Sequence, residues 1–216
     1  EFLTSPKYLG IPKERLATTV FAGDKTAPRD DVAYKAWKDC GIKDVFYLDK
    51  DHNWWALGGG VGPCGPDTEM FYDTGKPKCS ETCSPACDCG KYIEIWNDVF
   101  MQFVVEKEGE SVKKLSKPNI DTGMGLERTV MILNGSKTVY DCGILKQVID
   151  FINSKAKVKY EENEISTRSY RIITDHLRSS MFILGDERGV VPSNVGQGYI
   201  LRRFIRRAVN CARNIG

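Results

Sequence analysis

The sequence predicts a mixed α/β (α+β) fold that gives way to a purely helical region. Up to about residue 135, β-branched and alternating segments are separated by glycine- and proline-bearing turns. Beyond it, apolar residues recur at three- and four-residue spacing with no good strand between them. At 216 residues, 41% apolar and 28% charged, the chain reads as an ordinary globular protein with room for one large domain or two small ones. The expected division is 1–134, with a cysteine-rich insertion at 76–90, and 135–216.

The elements follow in order. Residues 15–23 are rich in β-branched side chains and end on Gly23, which predicts a strand. Asp30 and Asp31 can cap a short helix carrying Val32, Ala33, Ala36 and Trp37 on one face. A brief strand at 45–48 precedes a glycine-rich loop, 53–66, and residues 68–73 alternate polar and apolar as a strand lining a site would. Residues 92–105 form a long strand, the turn 106–110 leads to a second near 112–115, and Pro118 precedes a segment, 121–128, that opens a helix through Leu133. Helices are expected near 141–154, 168–184 and 197–213.

The formal charge of +2 is nearly neutral, but Arg202, Arg203, Arg206, Arg207 and Arg213 crowd the last fifteen residues without an acid among them. Such a face attracts phosphate even on a balanced chain, although an arginine-rich helix is more often solvated or acid-paired. No signal peptide and no run of eighteen apolar residues is present, so a cytoplasmic protein with no membrane partner is expected. The start at Glu1-Phe2-Leu3-Thr4, without Met, reads as a cut through a longer protein.

Asp121-Thr122-Gly123-Met124-Gly125-Leu126-Glu127-Arg128 is the most specific segment. Two glycines let the backbone pass close to a ligand, the following helix begins with free N–H groups, and Arg128 adds a planar cation suited to phosphate. Alone, a Gly-x-Gly would be read as a tight turn. Here it resembles motif 3 of class II aminoacyl-tRNA synthetases, in the spelling of the alanyl-tRNA synthetases. That resemblance implies part of a class II antiparallel sheet with helices. It assigns the γ-phosphate of ATP to Arg128, with Gly125 and Glu127 beside it, and the amino group of alanine to Asp121, with Gly123 beside it.

Three further blocks, in order along the chain, carry the same resemblance. Within 94–103 it implies that Asn97 and Val99 line the alanine pocket, and beside the block 62–69 it implies that Trp55, or alternatively Trp54, closes that pocket. The tail 192–208 resembles the family's segment that approaches the tRNA acceptor stem, with Arg202, Arg203, Arg206 and Arg207 reaching phosphates and Asn194 a base edge; Gln197 stands where the family often has arginine. The implied partners are alanine, ATP with Mg²⁺, tRNA(Ala) and the remainder of a parent synthetase chain. That remainder would carry motifs 1 and 2, so this chain would supply only part of an active site. His176 is read as structural. A competing reading is an RNA-binding module that keeps the fold without catalysis.

Of eight cysteines, Cys79, Cys83, Cys87 and Cys89 fall within eleven residues. Four thiolates satisfy a tetrahedral Zn²⁺, and a small loop without a core gains order from a metal. The spacing is not the paired Cys-x2-Cys form, and an empty reduced loop, a redox disulfide and an iron–sulfur cluster are the alternatives.

Overall fold

The computed structural model describes residues 1–58 and 60–216; Gly59, within the glycine-rich loop, lies outside the described residues. The chain divides into two compact units, Glu1–Leu133 and Asn134–Gly216.

Among the described residues, the first unit is built on a mixed six-stranded sheet. Its strands are β1 (Leu16–Phe21), β2 (Asp44–Leu48), β3 (Trp54–Ala56), β4 (Gly62–Asp73), β5 (Tyr92–Val105) and β6 (Lys113–Met124). They lie in the order β2-β1-β4-β5-β6, with β3 pairing off this path to β4. All pairings are antiparallel except β1 with β2, which are parallel and joined through helix α1 (Asp31–Asp39). A parallel pair requires such a crossover, since no tight turn can reverse the chain twice. Every residue of β1 is buried, as expected of a strand covered on both faces.

Asp30 caps α1 by accepting a hydrogen bond from the Ala33 N–H at 2.9 Å. The expected apolar face is only half realised. Ala33 is buried and Trp37 partly so, but Val32 is 83% exposed. Trp37 is anchored instead by its polar edge, its Nε1 donating to Thr68 Oγ1 at 2.7 Å. Around it pack Leu3, Ile11, Leu16, Ile42, Met70 and Ile95, joined by Ile132 of helix α2 (Leu126–Leu133).

One expectation is corrected here. The segment from Asp121 to Met124 is not the start of a helix but the end of β6, and the helix begins only at Leu126. Pro118 does not break this strand, because β6 is an edge: among the described residues its pairing is with β5 alone, and an edge strand tolerates a residue without an N–H.

The second unit is helical: α3 (Gly143–Lys155), α4 (Glu164–Gly185) and α5 (Gly196–Arg213). Helix α4 starts four residues earlier than periodicity suggests, because Asn163 accepts from Ser166 N at 2.8 Å and the Ser166 hydroxyl accepts from Asn163 N at 3.2 Å, a reciprocal cap. Its core joins Ile149, Tyr170, Ile173, Cys211 and Ile215. The fully buried Tyr170 satisfies its hydroxyl on Asn153 Oδ1 and Val158 O, at 3.0 and 3.1 Å. Among the described residues, no helix is long and apolar enough to cross a membrane.

Candidate functional site

Strand register brings most of the candidate alanine residues together. Asn97 stands opposite Glu69 on β4 and Gly123 on β6, and Val99 stands opposite Asp67 on β4 and Asp121 on β6. Directly paired residues share a face, and so do residues two apart on one strand. Two adjacent rows therefore run across three strands, Glu69–Asn97–Gly123 and Asp67–Val99–Asp121. Val99 is buried, Asn97 and Glu69 are half-buried, and Asp121 and Gly123 on the edge strand are exposed. A side chain added at Gly123 would meet nothing within 4 Å, so that end of the row is open.

The polar groups of these rows are interlocked. The Asn97 side-chain N–H donates to Asp67 Oδ2 at 3.3 Å, and the fully buried Asn53 donates to Asp67 Oδ1 at 3.0 Å and to Thr19 Oγ1 at 2.8 Å. Among the described residues, Asn97 Oδ1 is buried without a hydrogen-bond partner. An orphaned buried acceptor costs roughly 1–3 kcal/mol, a cost that a donor brought by a ligand would offset. Burial raises the Asp67 carboxyl, opposed by the hydrogen bonds from Asn53 and Asn97. Burial likewise pushes Glu69 up to about 8, with the nearby Asp67 and Glu94 carboxylates adding to the rise.

Arg128, in the first turn of α2, lies beside this acidic group. Its guanidinium donates to Glu94 Oε2 at 2.7 Å and to the Glu94 carbonyl at 3.1 Å, and its charge lowers Glu69. Glu127 shares that turn. Gly125 differs from the expectation of a bare ligand-facing backbone: its N–H is already given to Ile95 O at 2.9 Å, which ties the β6–α2 turn to β5.

Trp55 and Trp54 are separated by the structure. Trp54 packs its ring against Phe21 and Phe103, at centroid distances of 5.4 and 5.6 Å, under the Lys50 ammonium. Strand alternation sends Trp55 to the opposite side of β3, where it pairs with Gly65 and is half-buried. Trp55 is not in the register rows that hold Asn97 and Asp121. The other side of the sheet carries a cavity of about 570 Å³ lined by Leu16, Trp37, Met70 and Trp96, which contains none of the candidate residues.

In the second unit, Leu201, Ala208 and Cys211 bury one face of α5, and Arg203, Arg206 and Arg207 are exposed beside it. Arg202 is half-buried and donates to Asn194 Oδ1, so the carbonyl of the candidate base-reading side chain is engaged within the chain. Arg207 lines a cavity of about 550 Å³ with Arg168, Arg171, Tyr140 and Asp175. His176 rests against Phe204 at 4.8 Å, and burial holds its imidazole below the usual range.

The cysteine loop lies between β4 and β5. The sulfurs of Cys79, Cys83 and Cys87 fall within 4.8 Å of one another, and Cys89 Sγ is 3.8 Å from Cys83 Sγ.

Asn53, Asp67, Glu69 and Glu94 are members of the first site that sequence reasoning did not single out. The Asp67-x-Glu69 and Glu94-x-x-Asn97 spacings were visible, but not their convergence.

The whole chain, residues 1–216, matches the family model of the class II (A) tRNA synthetases. It is 50% identical over 218 aligned residues to an alanine–tRNA ligase of Treponema denticola, covering all of this chain and 36% of that protein. It is also 50% identical to an alanine–tRNA ligase of Borrelia hermsii and 41% identical to one of Anaeromyxobacter dehalogenans, of which it covers 37% and 24%. The chain therefore spans about a third of the length of the first two relatives and a quarter of the third.

Proposed function

This chain belongs to the class II (A) tRNA synthetases, and from that premise we propose that it is the alanine- and ATP-binding part of an alanine–tRNA ligase. The observation that carries the reading is the pair of register rows, in which Asn97, Val99, Asp121 and Gly123 converge from β5 and β6 beside Arg128. The parent reaction joins alanine and ATP as alanyl-adenylate, releases pyrophosphate, and passes the aminoacyl group to tRNA(Ala).

Each residue contributes positioning or charge. The Asp121 carboxylate and the orphaned Asn97 Oδ1 accept hydrogen bonds from the ammonium of alanine. Val99, with Trp55, gives a small apolar wall for the methyl group. A pocket of this kind gains little from one methyl, so glycine and serine are the expected errors. Arg128 carries the fixed positive charge for the γ-phosphate, with Gly125 and Glu127 in the same turn. Mg²⁺, when bound with ATP, would neutralise phosphate charge. Catalysis of this kind rests on orientation and preorganised charge rather than on a covalent bond to the enzyme.

Residues 1–134 are read as part of the aminoacylation domain and 135–216 as the start of a helical tRNA-recognition region in a cytoplasmic enzyme. There Arg202, Arg203, Arg206 and Arg207 contact phosphates and Asn194 keeps its amide N–H groups for a base edge. The loop thiols are read as the seat of a structural Zn²⁺ with no open coordination position and no part in the chemistry. Alanine-dependent ATP–pyrophosphate exchange by the intact parent protein tests the enzymatic reading. Its absence, with RNA binding retained, would favour a non-catalytic RNA-binding protein.

A further inference from the structure

We infer that the loop between β4 and β5 is a complete four-thiolate zinc site, with Cys89 as the fourth ligand, that closes the end of this hairpin. This deepens the zinc reading above by naming the ligand set. The loop has no regular secondary structure from residue 74 to 91. Its order must come from elsewhere.

Two features supply part of that order at the base of the loop. Thr74 N donates to Lys91 O at 2.8 Å, and the Lys91 ammonium donates to both Asp73 carboxylate oxygens at 2.9 Å and to Lys76 O at 3.0 Å. Neither reaches the tip. There the chain makes two short turns, closed by Cys83 N to Ser80 O at 3.2 Å and Cys87 N to Ser84 O at 3.0 Å. Each turn delivers one cysteine inward.

The sulfurs converge towards the spacing of a tetrahedral ion. Zn–S bonds of about 2.3 Å at tetrahedral angles place sulfurs roughly 3.8 Å apart. Cys83 and Cys89 are 3.8 Å apart, and Cys79, Cys83 and Cys87 lie within 4.8 Å of one another. Cys89 joins this group of three through Cys83. A disulfide would bring two sulfurs to about 2.05 Å and leave the other two without a role. None of the four is in a disulfide.

The site is also seated on the sheet. Cys83 is 3% exposed and packs with Ala17, Phe71 and Tyr92, while Cys87 and Cys89 pack against the same cluster. A metal bound here therefore ties the loop to β1, β4 and β5, the last two of which carry Asp67, Glu69, Asn97 and Val99.

The chain purified without chelator should contain about one zinc. Replacing zinc by Co²⁺ should give the tetrahedral visible bands and a thiolate charge-transfer band whose intensity reports the number of sulfurs. Cys89→Ser and Cys79→Ser should each reduce that intensity by roughly a quarter, or abolish binding, while Cys40→Ser outside the loop should change neither. Stripping the metal should speed amide exchange in 74–91 and leave β1 protected. Wild-type protein without zinc overturns both the zinc reading and this ligand set. Zinc retained by Cys89→Ser with unchanged charge-transfer intensity overturns only the fourth ligand. Neither readout depends on aminoacylation, so failure here is distinguishable from failure of the enzymatic reading.

Discussion

Glu69 stands half-buried beside Asp67 and Glu94, with its carboxyl pushed up from 4.5 to about 8, first by burial and then by those two charges. The folded chain thus keeps a proton that the unfolded chain gives up between about 4.5 and about 8. In that window the native state binds more protons, so stability falls as pH rises. Denaturant unfolding of the ligand-free chain at several pH values should show this slope, and Glu69→Gln should flatten it. The Asp67 carboxyl, also raised by burial, leaves a residual slope of the same sign. Equal slopes for wild type and Glu69→Gln would contradict the burial argument. The same residues show what was legible beforehand. Asn97, Val99, Asp121 and Gly123 stand in segments whose spelling is distinctive, whereas Asn53, Asp67, Glu69 and Glu94 matter only through what lies opposite them. Pairing across strands is a product of register, and one strand read alone does not contain it.

At the scale of elements, the 92–105 strand and the three later helices were legible because their periodicity is long and uninterrupted. The end of β6 was not. Pro118 and the Gly123–Gly125 pair read as strand-ending signals, yet an edge strand needs only half of its backbone groups and so tolerates them. Close packing, in contrast, makes some glycines unreplaceable: a Cβ at Gly65 would come within 2.0 Å of Phe100 O on the neighbouring strand. Strand alternation divides the two tryptophans of β3, Trp54 packed among aromatic rings and Trp55 on the opposite side. Trp54→Ala removes a ring stacked on Phe21 and Phe103, and should cost towards the lower end of the roughly 3–5 kcal/mol seen for large-to-small core changes. Trp55→Ala should leave the urea midpoint nearly unchanged and raise the alanine KM of the parent enzyme. The reverse pattern would transfer the pocket role to Trp54.

For the whole molecule, the near-neutral charge of +2 conceals a segregated distribution: carboxylates gather on the sheet rows, arginines on α5. The Asp121 carboxylate on the edge strand suits an ammonium, and positive charge on α5 suits phosphate. If Arg206 meets a phosphate, Arg206→Ala should weaken tRNA binding and reduce the slope of log affinity against log salt by about one. An unchanged slope would place Arg206 on a solvated face. The central claim is narrower, that the Asp121–Val99 and Gly123–Asn97 rows seat the ammonium of alanine. It is tested most directly by measuring alanine-dependent ATP–pyrophosphate exchange in the parent enzyme carrying Asp121→Asn. Loss of a hydrogen bond to a charged group, about 1.5–3 kcal/mol, predicts an alanine KM raised roughly ten- to a hundredfold with the ATP KM nearly unchanged. An alanine KM equal to that of the wild type would contradict the account.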